Sequence, residues 1–357
     1  MPHLGILGAG QLGRMLALAG YPLGLQFRFF DTSATATAGQ VAELRVGSFK
    51  DEAALADFAT GLDLVTQRLP VFPPARLLAT AQDRLEEKRR FAQLGIPTPD
   101  FRPVESLANL EAAVAELKLP AVLKTRRFGY DGKGQAVLRE PADLSPAFAR
   151  LGGVPLILEA FVPFDREVSL LFVQGRDGSQ AAYPLVENVH RLGILRSSRA
   201  PAPGTTPQLQ ALAEDYGQRL ARELGCVGVL AIEFFQVGDG LLANEMAPRV
   251  HNSGHWTIEG AETSQFANHL RAVLGWPLGT TAARGEVLML NCIGQLPEPT
   301  QLLAERGVYL HDYAKEALPG RKLGHVTIVA DSEAELRERA AAVTPWVVPR
   351  EVPTSAD

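Results

Sequence analysis

The stretch GVLAIEFFQVGDGLLANEMAPR, residues 228–249, consists of two apolar runs joined by Gly-Asp-Gly. A tip of this composition between apolar runs predicts a tight β-hairpin. Glu233 and Glu245 each lie six residues from Asp239, so a symmetric register places them opposite each other, whereas Asn244 points to the other face of a regular strand. Close carboxylates repel each other unless a cation lies between them, and Mg²⁺ is usually held by one or two carboxylates plus substrate phosphates. The alternative is that both glutamates are solvent-facing residues of an exposed hairpin.

A second segment, AVLKTRRFGYDGKGQAVL (residues 121–138), has the composition of a phosphate-binding loop. An apolar strand leads to Lys124, and Gly129, Gly132 and Gly134 then line a loop before another strand. Glycines allow backbone N–H groups to approach phosphate oxygens closely, and a lysine supplies a positive charge for them. The pattern is not a Walker A loop. An ordinary hairpin with a loose tip is equally consistent with this segment alone.

Two further segments are rich in hydrogen-bonding groups. RVHNSGHWTIEGA (residues 249–261) follows the hairpin directly and predicts a cradle for an anionic substrate, formed by Arg249, His251, Asn252, Ser253 and His255. Its histidine spacing is not a zinc pattern. YAKEALPGRKLGH (residues 313–325) carries a basic cluster suited to a phosphate or to a solvated loop, made of Lys315, Arg321, Lys322 and His325.

The segment LILEAFVPFDREVSLLFV (residues 156–173) contains apolar strands around a short turn at Pro163. Backbone polar groups near such a turn can read the edge of an adenine, and a carboxylate such as Glu167 can accept from ribose hydroxyls. Surface ion pairing among Asp165, Arg166 and Glu167 explains the same residues equally well.

Length and composition exclude several classes of protein. A chain of 357 residues predicts two or three domains, and a formal net charge of −5 argues against a general binder of nucleic acid or acidic membranes. The N-terminus lacks a signal-peptide pattern, and no apolar run is long enough for a membrane span. The only cysteines, Cys226 and Cys292, have apolar neighbours and are expected to be inert core thiols, which fits a reducing cytoplasm.

The N-terminal stretch GILGAGQLGR (residues 5–14) matches G-x-G-x-x-G and is followed by Asp31 at the end of a second apolar run, so an NAD(P) oxidoreductase is one hypothesis. Strand and helix patterns alternate to about residue 80, with DLVTQ (63–67) as the third strand. We therefore predict an α/β domain over 1–80, an α+β domain over 81–275, and a small β-rich C-terminal domain over 276–357. Its terminal helix is expected to begin with a capping box of Ser332 and Glu335.

Taken together, four segments resemble the motifs of the N5-carboxyaminoimidazole ribonucleotide synthetase family, ATP-grasp ligases of purine biosynthesis. They are KTRRFGYDGKGQ (124–135), YPLVENVHRLGILRSSRAPAP (183–203), NEMAPRVHNSGHWTIEGAETSQF (244–266) and PGRKLGHVT (319–327). The resemblance runs from GAGQLGRM to GHVT and implies a Rossmann-like pre-ATP-grasp domain, an ATP-grasp domain and a C-terminal domain. It also implies that bicarbonate is phosphorylated by ATP to carboxyphosphate, which carboxylates 5-aminoimidazole ribonucleotide. ATP and Mg²⁺ are the implied cofactors, and a cytoplasmic homodimer without nucleic-acid or membrane partners is expected.

The resemblance also implies roles for individual residues. Contacts with ATP are expected from Arg84, Lys124, the covering loop Gly129, Tyr130, Asp131, Gly132, Lys133, Gly134 and Gln135, the adenine segment Glu159, Ala160, Phe161 and Val162, and Glu167, His190, Asn244 and Glu245. Mg²⁺ is expected on Glu233 and Glu245. The acceptor nucleotide is expected to contact Gln11, Arg249, His251, Lys315 and Arg321. Catalysis is assigned to Lys124, Arg249 and His251. In this interpretation the GAGQLG glycines serve a tight strand-to-helix turn and bind no NAD.

One segment departs from the family pattern. In DLVTQRLPVFP (residues 63–73), Arg68 and Pro70 stand where the family has two glutamates near its acceptor site. Recognition of the sugar can therefore differ from that in the family, and two other hypotheses about function remain. One is a different ATP-grasp ligase, such as a formate-dependent glycinamide ribonucleotide transformylase, and the other is a nucleotide-binding protein that has lost catalysis.

Overall fold

The N-terminal part of the chain forms a parallel sheet of three strands in the order β1-β2-β3. The structure, a computed structural model, describes residues 2–64, 72–129 and 133–348. The elements of the first part are β1 (His3–Leu7), α1 (Gln11–Gly20), β2 (Gln26–Asp31), β3 (Glu43–Val46) and α2 (Glu52–Ala59), followed by α3 (Ala75–Ala81) and α4 (Arg84–Gln93). The helix α2 begins at Asp51, whose carboxylate accepts from the backbone N–H groups of residues 53 and 54.

The conformation of the glycine loop after β1 is stabilised by close backbone packing and by a carboxylate from β2. Gly8 has a φ of +98°, a conformation that favours glycine, and a Cβ on Gly13 would lie 2.8 Å from the carbonyl oxygen of Gly8. The Asp31 carboxylate accepts from the backbone N–H of Ala9 at 2.7 Å. Asp31 therefore closes the strand-to-helix turn, whereas in a dinucleotide-binding enzyme this carboxylate would bind a ribose.

Of the strand predicted at residues 63–67, the structure describes only residues 63 and 64, which bond to β1 in parallel as a strand would, but a strand earlier in the chain was not predicted. The third strand is β3, a short run that pairs with β2. Leu64 forms a single parallel bridge with Leu4, and residues 65–71, which include Arg68 and Pro70, lie outside the described part of the chain. The four residues of β3 alternate polar and apolar side chains, but the run is too short to predict a strand from its periodicity.

The middle of the chain forms an antiparallel sheet of four strands in the order β4-β7-β5-β6. Two helices pack on one face of this sheet and enclose an aliphatic core. The elements are β4 (Phe101–Val104), α5 (Leu107–Leu117), β5 (Ala121–Thr125), β6 (Gln135–Leu138), α6 (Leu144–Leu151) and β7 (Leu156–Ala160). The loop between β5 and β6 is the predicted phosphate-binding loop.

A sheet of nine strands forms the centre of the molecule, in the order β13-β12-β8-β10-β11-β14-β16-β15, with β9 paired to β8. Its elements are β8 (Arg166–Gln174), β9 (Gln180–Ala182), β10 (Val186–Arg191), β11 (Ile194–Ala200), α7 (Pro207–Leu224), β12 (Gly228–Val237), β13 (Gly240–Ala247), α8 (Thr257–Gly260), α9 (Gln265–Leu274), β14 (Glu286–Ile293), α10 (Pro299–Leu302), β15 (Val308–Asp312), β16 (Lys322–Ala330) and α11 (Glu333–Val347). The buried faces of α7 and α9 cover this sheet.

The C-terminal strands β14, β15 and β16 extend this large sheet and do not form a separate one. The domain boundary between residues 275 and 276 therefore stays a prediction. At the start of α11 the Ser332 hydroxyl accepts from the N–H of Glu335, as expected. The reciprocal half of the predicted capping box differs, because the Glu335 carboxylate accepts from the N–H of Asp331, one residue earlier.

The composition predicts no membrane-spanning segment and two inert cysteines. Within the described ranges, no helix is both long and apolar enough to cross a membrane. Cys226 and Cys292 are buried, and burial raises the pKa of each thiol to about 12, which keeps both in the unreactive thiol form.

Candidate functional site

The hairpin of β12 and β13 brings two carboxylates together. Glu233 pairs directly with Glu245, as predicted, although the register beside the turn, which pairs Val237 with Gly240, would by itself place Asn244 opposite Glu233. The next pair is Phe234 with Ala243, so Asn244 is the extra residue of a β-bulge. The expectation that Asn244 points away from the glutamates assumed a regular strand and does not hold at this bulge. The Asn244 Oδ1 atom is buried and has no hydrogen-bond partner among the described residues.

A buried lysine from α4 holds this bulge in place. The Nζ atom of Lys88 donates to the carbonyl oxygens of Ala243 at 3.2 Å and Asn244 at 2.8 Å, and it lies 3.5 Å from Oε2 of Glu159. Only 1% of the Lys88 side chain is exposed. Burial lowers the pKa of Lys88, and the Glu159 carboxylate opposes this shift. Lys88 therefore joins the metal-candidate hairpin to the small sheet, a role that the sequence pattern did not reveal.

The charges that surround the two hairpin glutamates shift their pKa values in opposite directions. Arg84 Nη1 donates to Glu245 Oε2 at 2.9 Å. Although burial opposes it, this guanidinium holds the pKa of Glu245 below its usual range. Burial, together with the negative charge of Glu245, raises the pKa of Glu233. Glu245 is therefore the more acidic member of the pair, and a cation bound between the two carboxylates would favour the charged form of Glu233.

The predicted phosphate ligand Lys124 lies at the end of β5 and is engaged by a carboxylate. Its Nζ atom lies 2.9 Å from Oε2 of Glu159, which is 2% exposed. Although burial opposes it, Lys124 and Lys88 hold the pKa of Glu159 at about 2. The Glu159 carboxylate is thus directed at two lysines. Both lysines contact Oε2, whereas the buried Oε1 of Glu159 has no hydrogen-bond partner among the described residues.

The base of the glycine loop is fixed by Asp83, another residue that sequence reasoning missed. Its carboxylate accepts from Arg126 through Nε at 2.9 Å and Nη2 at 2.7 Å, and also from Arg127 at 3.2 Å. It also caps α4 by accepting from the N–H of Leu85. Gly134 within the loop has a φ of +77°. Tyr130, Asp131 and Gly132 lie outside the described residues, so their nucleotide contacts stay predictions.

The segment between β7 and β8 carries the predicted adenine and ribose residues. The N–H groups of Ala160 and Phe161 donate to the carbonyls of residues 100 and 120, and the Phe161 ring is 44% exposed beside Val162. Glu167 Oε2 lies 2.6 Å from Nδ1 of His190, so these two predicted residues do meet. The alternative of ion pairing within residues 165–167 is not observed, because Arg166 pairs with Glu187 at 2.8 Å.

The loop after β13 divides into exposed and buried residues. Arg249 is exposed, and His251 Nε2 lies 3.5 Å from Oε1 of Glu233. Burial and the charge of Arg249 lower the pKa of His251 to about 3. The prediction of a substrate cradle is wrong for Ser253 and His255, which are fully buried. The Ser253 hydroxyl contacts Ser169 and His251, and Nδ1 of His255 lies 3.1 Å from the amide nitrogen of Gln265, whereas Nε2 of His255 has no hydrogen-bond partner among the described residues.

The same loop is anchored by amide side chains. Gln265 accepts from the N–H of His251 at 2.8 Å and donates to its carbonyl at 2.7 Å. Asn252 and Asn291 exchange two hydrogen bonds, at 3.1 and 2.8 Å. These contacts fix the backbone from which His251 projects towards the glutamate pair.

The predicted basic cluster of residues 313–325 is only partly brought together. Lys315 Nζ donates to Oε1 of Gln11 at 2.5 Å, so two predicted acceptor residues from opposite ends of the chain meet. Arg321 donates to the carbonyl of Glu316 within its own loop. The prediction is wrong for His325, which is fully buried and accepts from or donates to the Tyr313 hydroxyl at 2.8 Å. The positive charge of Lys322 adds to the lowering of the His251 pKa and partly offsets the rise in the pKa of Glu233.

The donor set at the hairpin fits Mg²⁺ completed by a substrate. Glu233 and Glu245 supply carboxylate oxygens, and Asn244, next to Glu245 in β13, has a buried amide oxygen without a hydrogen-bond partner among the described residues. In the described part of the chain no three His, Cys, Asp or Glu side chains are arranged to hold a metal ion by themselves.

Comparison with known proteins identifies the family. An ATP-grasp domain matches residues 89–266, a ribonucleotide synthetase preATP-grasp domain matches residues 1–84, and a phosphoribosylaminoimidazole carboxylase C-terminal domain matches residues 287–339. N5-carboxyaminoimidazole ribonucleotide synthase of Pseudomonas aeruginosa is 54% identical over 95% of this chain and 98% of its own length. The chain belongs to the N5-carboxyaminoimidazole ribonucleotide synthase family. It is an ATP-grasp ligase.

Solved structures of this family have the same fold. N5-carboxyaminoimidazole ribonucleotide synthetase from Thermus thermophilus superimposes with a TM-score of 0.93 at 56% identity, covering 98% of this chain and 99% of that chain. The Aspergillus clavatus N5-carboxyaminoimidazole synthase, solved in complex with ADP and 5-aminoimidazole ribonucleotide, has a TM-score of 0.89 at 29% identity, covering 97% of this chain and 98% of that chain. The expected pre-ATP-grasp, ATP-grasp and C-terminal parts are thereby confirmed.

Proposed function

We propose that this ligase uses ATP and bicarbonate to carboxylate 5-aminoimidazole ribonucleotide to N5-carboxyaminoimidazole ribonucleotide, with Mg²⁺ as its metal. The observation that carries the proposal is the juxtaposition of Glu233 and Glu245 across the hairpin, with His251 3.5 Å from Glu233. Support for the acceptor comes from the family, one of whose members has been crystallised with ADP and 5-aminoimidazole ribonucleotide.

In this proposal the cationic side chains bind and align the triphosphate. Phosphoryl transfer requires charge neutralisation and alignment more than covalent participation of the protein. Mg²⁺, held by Glu233 and Glu245 with Asn244 beside them, would supply charge neutralisation on phosphate oxygens. Lys124 leaves Glu159 to contact phosphate, and Lys88 remains to balance the Glu159 carboxylate.

The acceptor nucleotide and the carboxyl donor lie, in the same proposal, on the side of the loop after β13. Arg249 is exposed there, and His251 faces Glu233. The pair of Gln11 and Lys315 offers a further polar site from the N-terminal and C-terminal parts of the chain. Arg321 remains a proposed phosphate ligand. The division at residues 80 and 275, a homodimer and a cytoplasmic location are also parts of the proposal.

The function is tested by measuring ADP release from ATP with 5-aminoimidazole ribonucleotide and bicarbonate, each omitted in turn. We expect full ADP release only when both are present, because the transferred phosphoryl group requires a one-carbon acid and the product requires the amine. Formate with glycinamide ribonucleotide in place of these substrates should give no ADP. Turnover with formate would favour the transformylase, and nucleotide binding without turnover under any acceptor would favour a protein that has lost catalysis.

The raised pKa of Glu233 predicts a pH dependence of metal binding. Below this pKa a proton on the Glu233 carboxyl competes with the cation, so metal affinity should fall as the pH falls, by up to about tenfold per pH unit. The measurement is Mn²⁺ binding by electron paramagnetic resonance at saturating ADP, corrected for Mn²⁺ binding to ADP alone. The Glu233→Gln variant is the control, since its affinity should be weaker and lack this dependence. Equal pH profiles in wild type and Glu233→Gln would contradict the assignment of Glu233 to the metal site.

A further inference from the structure

A chain of four buried polar side chains ends at His251. The Ser198 hydroxyl donates to Oδ1 of Asn188 at 2.8 Å, and the Asn188 amide nitrogen donates to Oγ of Ser169 at 2.9 Å. The Ser169 hydroxyl then donates to Oγ of Ser253 at 2.9 Å. Since Ser253 already accepts a proton from Ser169, its own hydroxyl proton is left for Nδ1 of His251, 2.9 Å away.

A second donor points at the same ring nitrogen. The backbone N–H of Ser253 is directed at Nδ1 of His251 at 3.3 Å. A backbone N–H can only donate, so this contact requires a lone pair on Nδ1 whatever the direction of the hydroxyl chain. Two hydrogen bonds to Gln265 fix the backbone of His251. The ring therefore stays in contact with both donors.

With Nδ1 accepting, the single ring proton of His251 resides on Nε2. This is the atom that faces Oε1 of Glu233 at 3.5 Å. We propose that Ser253, whose hydroxyl is oriented by the Ser169 hydroxyl, is a positioning residue that fixes His251 as its Nε2–H tautomer. His251 then presents a proton to the oxygen atoms gathered beside Glu233.

This assignment limits what His251 can do in the reaction. An Nε2–H group donates a hydrogen bond to an anionic oxygen, such as one of the carboxyl donor, and has no lone pair there to remove a proton. Such a donor, oriented before the substrate arrives, stabilises negative charge that develops on oxygen. The catalytic consequence rests on the proposed function, whereas the tautomer itself is a property of the resting protein.

The first test is the long-range proton–nitrogen NMR spectrum of the full-length, nucleotide-free protein labelled with ¹⁵N-histidine. The His251 signals are identified by their absence from the His251→Asn variant. We expect a protonated Nε2 and an unprotonated Nδ1. A proton on Nδ1, or on both nitrogens, would overturn the proposal without affecting the proposed function. The predicted tautomer without ADP release from bicarbonate and 5-aminoimidazole ribonucleotide would overturn the proposed function alone.

The second test compares two serine variants within the same chain. Ser253→Ala removes the hydroxyl that contacts His251 and should lower kcat on the order of tenfold, with the KM for ATP within about twofold of wild type. Its NMR signals should move towards averaged values for the two nitrogens. Ser198→Ala removes an equally buried hydroxyl that does not touch His251, and it should leave both the tautomer and kcat unchanged. Equal losses of kcat in the two variants would mean that these hydrogen-bonded side chains contribute only to packing, and this would contradict the proposal.

If Ser253→Ala fails to fold, Ser169→Ala takes its place. That variant removes the donor that orients the Ser253 hydroxyl, and it should lower kcat in the same direction while Ser198→Ala does not. An unchanged kcat and an unchanged His251 spectrum in Ser169→Ala would contradict a role for the chain.

Discussion

Replacing Glu245 by glutamine is expected to lower kcat by about a hundredfold to a thousandfold while the protein stays folded. The substitution preserves shape but removes the negative charge that Arg84 stabilises and that lies opposite Glu233. Repulsion between the two carboxylates disappears at the same time as the partner of Arg84, so the free energy of unfolding should change little. Steady-state ADP release and urea unfolding measure the two quantities.

Asp239→Asn is the matched control for Glu245→Gln. Asp239 belongs to the same hairpin, but it lies at the exposed tip of the turn. This control should keep the wild-type rate and metal requirement. Wild-type turnover in Glu245→Gln, with an unchanged Mg²⁺ concentration for half-maximal rate, would contradict the assignment of Glu245 to the metal.

Replacing Lys88 by methionine is expected to cost about 3–5 kcal/mol of unfolding free energy. Methionine fits a similar volume but leaves the carbonyl groups of Ala243 and Asn244 without this donor, and it leaves Glu159 with Lys124 as its remaining lysine. Because Lys88 holds the bulge, the Mg²⁺ concentration that gives half-maximal rate should also be higher for folded Lys88→Met than for wild type. Urea unfolding and a magnesium titration at saturating ATP measure these effects.

The control for Lys88→Met is Arg89→Met, on the next residue of α4. Arg89 forms an ion pair with Glu86 at 2.8 Å, and about half of its side chain is exposed. Loss of such a surface pair should change the unfolding free energy by no more than about 0.5 kcal/mol. Equal stabilities of Lys88→Met and wild type would show that the buried lysine does not hold the hairpin.

The parts of the fold that follow from local patterns could be predicted from the sequence. The Gly-Asp-Gly tip predicts the hairpin, whereas the pairing of Glu233 with Glu245 also depends on the bulge at Asn244, which the local pattern does not show. Similarly, β3 is too short to be predicted from its periodicity. The joining of β11 to β14 in one sheet is a long-range pairing, which no local propensity encodes.

The candidate site divides in the same way. Residues that carry chemistry in a recognisable segment, such as Lys124 and His251, could be proposed from type and spacing. Residues that support them could not, because Lys88, Asp83 and Gln265 act through contacts with parts of the chain far away in sequence. The sequence predicts Ser253 and His255 as substrate ligands because the type and spacing of polar residues do not show which of them are buried in the fold.

The central claim is that Glu233 and Glu245 together hold the divalent ion that the nucleotide requires. The most direct test is a crystal structure of the protein with ADP and Mn²⁺, with the metal located by its anomalous scattering. We expect one metal peak within about 2.0–2.3 Å of an oxygen from each carboxylate, completed by phosphate oxygens. A metal bound to ADP alone, with the two side chains directed apart into solvent, would contradict the claim.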